Sequence, residues 1–146
     1  MRERGRISQT TEVAVPFYDI DMMAVVWHGH YLKYLEDARW ALMERIGYGL
    51  EAMKRSGYLW PIIDAHVRYV SPARCGDVLA ITASLVEWHS RVAIHYLIAD
   101  AAGKRRVARA RTVQVAVDAA SGELQFECPA GIMRAVERSL AGEAPA

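Results

Sequence analysis

Asp19 and Asp21 stand two positions apart, and His28 and His30 follow in the same polar stretch, Tyr18 to Tyr31. A carboxylate just ahead of a helix start faces any electrophile held on the first-turn amides. Those N–H groups have no partner inside the helix and form a ready oxyanion site. A thioester carbonyl held there is open to attack by Asp21, or by a water that Asp21 deprotonates. The same residue type also suits a cap or an Asx turn, and Asp19, next to the preceding strand, reads as a turn residue.

A metal is the second chemistry the stretch suggests, since Asp19, Asp21, His28 and His30 offer four ligands within 12 residues. Histidines two apart lie on opposing faces of a helix, so the pair converges only outside one. No His-x-x-x-His or Cys-x-x-Cys spacing occurs, and Cys75 and Cys128 are too few for a cysteine zinc site or a disulfide framework. We therefore expect no metal and no cofactor. A nucleophile elbow, a dinucleotide fingerprint and a P-loop are all missing from the sequence.

The other charged feature is a basic stripe: Lys104, Arg105, Arg106, Arg109 and Arg111, with Arg91 on the strand before it. On a strand, Arg105, Arg109 and Arg111 share one face, and arginine matches phosphate geometry, so the stripe could anchor a phosphorylated ligand. For Lys104 and Arg106 a solvated turn and half-exposed strand face is the better account. Lys plus Arg is 18 against 17 for Asp plus Glu, a net charge of +1, which disfavours nucleic acid as a partner.

Positioning these residues falls to a chain of 146 residues, 53% apolar and 24% charged, which is one globular domain spanning 1–146. Residues 1–10 and 141–146 read as loose tails. No apolar run reaches the roughly 18–20 residues that cross a bilayer, and a cytoplasmic location is expected. Val13, Val15 and Phe17 alternate as a first strand, with Pro16 confining it to an edge or a bulge. Tyr31, Leu35, Ala38, Leu42 and Ile46 then repeat at helical spacing, predicting one long amphipathic helix over 29–46, closed by Gly47 and Gly49.

Beyond that helix the alternation predicts strands over 58–70, 78–88, 91–99, 105–117 and a short one over 123–126. Short loops join the later strands into an antiparallel meander, and a last short helix begins near Pro129. The fold class is α+β, with one long helix available to cover a face of one sheet.

Phe17-Tyr18-Asp19-Ile20-Asp21, Val25-Val26-Trp27-His28 and Tyr31 through Arg39 together resemble the signature of hotdog-fold acyl-CoA thioesterases. The subgroup they resemble is the 4-hydroxybenzoyl-CoA and Tol-Pal-associated type. Ser71-Pro72-Ala73-Arg74 and Asp77-Val78-Leu79 match more weakly, and the likeness runs from about Glu12 to Cys128. It implies a hotdog fold, a long central helix wrapped by a curved antiparallel sheet. It further implies a homodimer or homotetramer with active sites at the subunit interface, and acyl-CoA as substrate.

By the same resemblance the catalytic carboxylate is Asp21, and a backbone N–H near His28 polarises the carbonyl. Arg91, Lys104 and Arg105 are placed by position to hold the nucleotide part of CoA. Glu36, on the helix, either orients a water or pairs with Arg39 three residues on. Ala24 stands where the family often has glycine, and Met22 and Met23 replace small or proline residues. Methionines adapt to irregular apolar ligands. The alternative function is a non-catalytic hotdog protein that binds acyl-CoA or serves as a scaffold.

Overall fold

A computed structural model describes residues 7–143. Its strands are β1 (Ile7–Ala14), β2 (Tyr58–Leu59), β3 (Ile62–Tyr69), β4 (Val78–Glu87), β5 (Val92–Asp100), β6 (Arg106–Gln114) and β7 (Val117–Asp118). Its helices are α1 (His30–Ile46), α2 (Leu50–Ser56) and α3 (Ala130–Leu140). Five strands form one antiparallel sheet in the order β1-β4-β5-β6-β3, and β2 pairs separately with β7. The α+β expectation holds, including the β4-β5-β6 meander.

The long helix forms because its apolar residues fall on one stripe. Tyr31, Tyr34, Leu35, Ala38, Leu42, Met43 and Ile46 are all buried. They pack against the inner face of the sheet, where Leu79, Ile81, Ala83 and Leu85 of β4 meet Ile94 and Ile98 of β5. At the helix end Gly47 adopts φ 88°, its N–H bonding to the Glu44 carbonyl while the Tyr48 N–H reaches that of Met43. This left-handed closure favours glycine, which has no Cβ to crowd the turn. The last helix, α3, adds Ile132, Ala135 and Val136 to the same core.

Several expectations are corrected. The first strand starts at Ile7, so residues 7–10 belong to the sheet rather than to a frayed tail; residues 1–6 and 144–146 lie outside the described residues. The strand looks polar because its outward face pairs hydroxyl with hydroxyl: Ser8 with Ser84 at 2.8 Å and Thr10 with Thr82 at 2.9 Å. It is an edge strand, as Pro16 suggests, but Pro16 itself lies beyond its end.

Helix α2 escapes a periodicity search because none of its residues is buried. The run 58–70 is broken at Pro61, which has no N–H to donate, into β2 and β3. Only a single bridge, Val117 to Leu124, replaces the short strand expected at 123–126. There the Asp118 carboxylate accepts the Ala120 and Ser121 N–H groups, each at 2.9 Å, and turns the chain back.

Candidate active site

The segment between β1 and α1 folds as a tight loop closed at its base by a bridge between Ile20 and Val26. Within it the Asp21 N–H bonds to the Val25 carbonyl at 2.9 Å and the Ala24 N–H to the Asp21 carbonyl at 3.0 Å. To close so small a ring, Ala24 takes φ 62°, in the left-handed region that L side chains disfavour. That conformation explains why a glycine suits this position. Ala24→Gly should therefore raise unfolding free energy by about 0.5–1 kcal/mol. Denaturant titration of the two proteins measures it, and a loss of stability in the variant would contradict the strain.

Asp19 and Asp21 have opposite surroundings. Asp19 is 1% exposed, ends a single 3-10 turn (Phe17–Asp19) and is tied to α1. Lys33 donates to its two carboxylate oxygens at 2.8 and 2.9 Å, the Tyr34 hydroxyl donates to Oδ2, and His30 Nε2 lies 3.8 Å from Oδ1. Burial by itself raises the Asp19 carboxyl, but the hydrogen bonds from Lys33 and Tyr34 and the nearby positive charges outweigh it. The carboxyl is held below its ordinary value, and the buried Tyr34 hydroxyl is pushed up in turn. Asp19 is thus a tether, a role the sequence does not disclose beyond its place in a turn.

Asp21 instead faces an open cleft of about 290 Å³ lined mostly by apolar atoms. Its Oδ1 accepts the Met23 N–H at 2.8 Å, an Asx turn that fixes the carboxylate's orientation. No hydrogen bond to Oδ2 is present among the described residues. His28, Tyr31, Tyr69, Ser71 and Pro72 line the same cleft. Tyr69, from the end of β3, reaches across to donate to the His28 carbonyl at 2.9 Å and stacks edge-on against Tyr31 at 5.3 Å. Burial, then the neighbouring Tyr69, raises the Tyr31 hydroxyl above its ordinary value.

One wall of the cleft is the start of α1. Gly29 precedes the helix with no side-chain cap, and no acidic residue occupies the first turn, so no side-chain carboxylate competes for its N–H groups. The Trp27 ring lies against Gly29, where a Cβ would sit 2.3 Å from it, so the position has room only for glycine.

The structure brings some of the other expected residues here and not others. Arg105 reaches the cleft wall, donating to Ser71 Oγ and to the Pro72 carbonyl at 2.9 Å, with Asp77 at 3.8 Å. Lys104 is exposed in the adjoining β5–β6 turn, at φ 56°. Arg91 stands at the opposite end of β5, paired with Glu87 at 2.9 Å, so the three do not form one cluster within the chain. Glu36 pairs with the buried Arg39 and lines a different, apolar groove of about 290 Å³ with Leu32, Ile62 and Thr112.

The metal alternative does not assemble: Asp19 is spent on Lys33 and Tyr34, while Asp21 faces the cleft. Among the described residues no group of three or more such side chains is placed to hold a metal ion. Tyr69 was missed by sequence reasoning. Its strand alternation is visible, but not that the end of β3 folds back against the helix start.

Residues 15–137 match the model of the thioesterase-like superfamily. The chain belongs to that family. It is 26% identical over 108 residues to a putative acyl-CoA thioesterase of Bacillus subtilis, YneP, covering 73% of this chain and 78% of the relative. The fold superposes on Slr0204, a 1,4-dihydroxy-2-naphthoyl-CoA thioesterase from Synechocystis, with a TM-score of 0.78 at 23% identity, over 88% of this chain and 95% of that one. A 4-hydroxybenzoyl-CoA thioesterase mutant solved with 4-hydroxybenzoyl-CoA gives 0.77 at 22%, over 88% and 98%. The hotdog fold expected from the sequence is therefore the fold of this family member. No helix among the described residues is long and apolar enough to cross a membrane.

Proposed function

We propose that the chain hydrolyses acyl-CoA thioesters to a free acid and CoA without a metal, with Asp21 as the reacting carboxylate. The observation that carries this is a carboxylate oriented through one oxygen, its other oxygen open to an apolar cleft whose wall is a helix start with no side-chain cap. The thioester carbonyl oxygen sits on the N–H groups at the start of α1, beside His28, where the helix dipole favours developing negative charge.

Two routes balance. As general base, Asp21 takes a proton from water, the hydroxide oxygen bonds to the carbonyl carbon, the C–S bond breaks, and the thiolate leaves with that proton. As nucleophile, its Oδ2 bonds to the carbonyl carbon and expels the thiolate, and water then cleaves the mixed anhydride. A single turnover in oxygen-18 water tests both. Labelled acid or labelled Asp21 is expected; label in Asp21 identifies the nucleophile. Label in the acid with no trappable acyl-Asp21 identifies the base. Label in neither overturns hydrolysis.

The working unit in this proposal is a dimer built through β3. Its outer edge is unpaired among the described residues, and the strand is exposed along nearly its whole length, with Ile62 and Ile63 among its uncovered side chains. Antiparallel pairing of two β3 edges sets the Tyr69 end of one against the Ile62 end of the other. That places the Asp21 cleft of one protomer beside the Glu36 groove and the Arg91 end of its partner's sheet. Light scattering should return twice the chain mass, and a proline at Ala65 or at His66, whichever N–H faces the partner, should return the monomer. The unpaired thiols of Cys75, exposed, and Cys128, buried, fit a reducing cytoplasm.

A binding or scaffold role is the second reading, and Ala24 is the observation that favours it, since a strained loop holds the reacting carboxylate. It predicts acyl-CoA binding without turnover, with hydrolysis gained on Ala24→Gly.

A further inference from the structure

The outer face of the sheet, away from α1, carries the part of the basic stripe that the Asp21 cleft does not use. A bulge at the start of β6, where Ala99 pairs with Arg106 and Ile98 with Ala108, turns Val107 into the core and separates Arg105 from the rest. Arg109 and Arg111 remain on the outer face, and β3 and β5 add to them. Across the strands His66, Arg111 and His95 stand in one row, with Arg68, Arg109 and Leu97 in the next. Together the three arginines and two histidines line an open depression of about 280 Å³.

This arrangement is unfavourable for folding alone, because like charges directly opposite on a sheet destabilise it. The rows continue onto β4 and β1 as hydroxyls, Ser84 with Ser8 and Thr82 with Thr10, which add no negative charge. Asp64 pairs with Arg111 at 3.1 Å, and Arg68 and Arg109 have no ion pair among the described residues. The concentration is local, in a chain of net charge +1. A second copy seated face to face would set like charge against like.

We propose that this basin binds a phosphorylated small molecule bearing two linked phosphates. Neighbouring side chains are spaced about 4.8 Å across strands and about 6.8 Å along them, so the paired guanidinium groups of Arg68 and Arg109 converge on adjacent phosphates. Arginine holds phosphate through paired N–H donors. The diphosphate of CoA and a separate diphosphate ligand share this chemistry. The proposal does not depend on hydrolysis at Asp21, since binding needs no turnover.

Inorganic pyrophosphate is the probe, titrated calorimetrically against the full chain at low salt. Wild type should bind it, Arg68→Gln with Arg109→Gln together should weaken binding about tenfold or more, and Asp64→Asn should tighten it several-fold. A gain of binding in Asp64→Asn cannot come from misfolding. No binding by wild type, or equal affinity in the double variant, overturns the proposal. Displacement of pyrophosphate by acyl-CoA, with KM raised and kcat kept in the double variant, assigns the site to the substrate's own phosphates. Pyrophosphate binding that acyl-CoA leaves untouched assigns it to a separate ligand.

Discussion

Asp21→Asn is expected to lower acyl-CoA turnover at least about a hundredfold while leaving the fold and the affinity for acyl-CoA nearly unchanged. Asparagine keeps an oxygen that can accept the Met23 N–H, so the Asx turn and the loop closed by Ile20 and Val26 survive. What it removes is the basic, nucleophilic oxygen facing the cleft. The loss should therefore appear in kcat, with the melting temperature within a degree or two of wild type. A rate within tenfold of wild type would mean that Asp21 serves only as the acceptor in its turn, and that the reacting carboxylate lies elsewhere.

Asp19→Ala should damage the fold rather than the chemistry. Removing this carboxylate strands the buried Tyr34 hydroxyl and frees Lys33, whose side chain is half exposed and can rehydrate. Breaking a buried pair by deleting one partner is strongly destabilising, and the exposure of Lys33 moderates it, so a loss of about 2–3 kcal/mol is expected at pH 7. The same group makes wild-type stability sensitive to acid. Its folded carboxyl titrates below its unfolded value, so its contribution is complete above the unfolded value, near 3.8, and is lost as pH falls through the folded one. Urea titrations of both proteins from neutral to acid pH check this. The gap between them should narrow below about pH 4; a gap under about 1 kcal/mol at neutral pH would remove Asp19 as the tether.

Much of this architecture is legible in the sequence because α1 and β4 to β6 each bury one periodic face. The helix start, its Gly47 closure and the loop carrying Asp21 follow from spacing and from the family resemblance. The polar half of β1 and the exposed α2 are not legible, since neither presents an apolar period to read. Within the site, the two aspartates look alike in sequence. Their division into a buried tether and an open carboxylate depends on where Lys33 and Tyr34 fall on α1, which only the packed helix reveals. Likewise Arg105 and Arg109 read as neighbours on one face, yet a one-residue bulge sends them to different sites. Tyr69 and Arg68 come from a strand whose partner, β6, is distant in sequence, and such pairings leave no local signal.

Free-thiol release from a panel of aromatic, short-chain and long-chain acyl-CoAs, with and without EDTA, tests the central claim most directly. Turnover of at least one member, undiminished by the chelator, is the predicted result. Binding of acyl-CoA with no thiol released from any member would contradict hydrolysis and leave the cleft as a binding site.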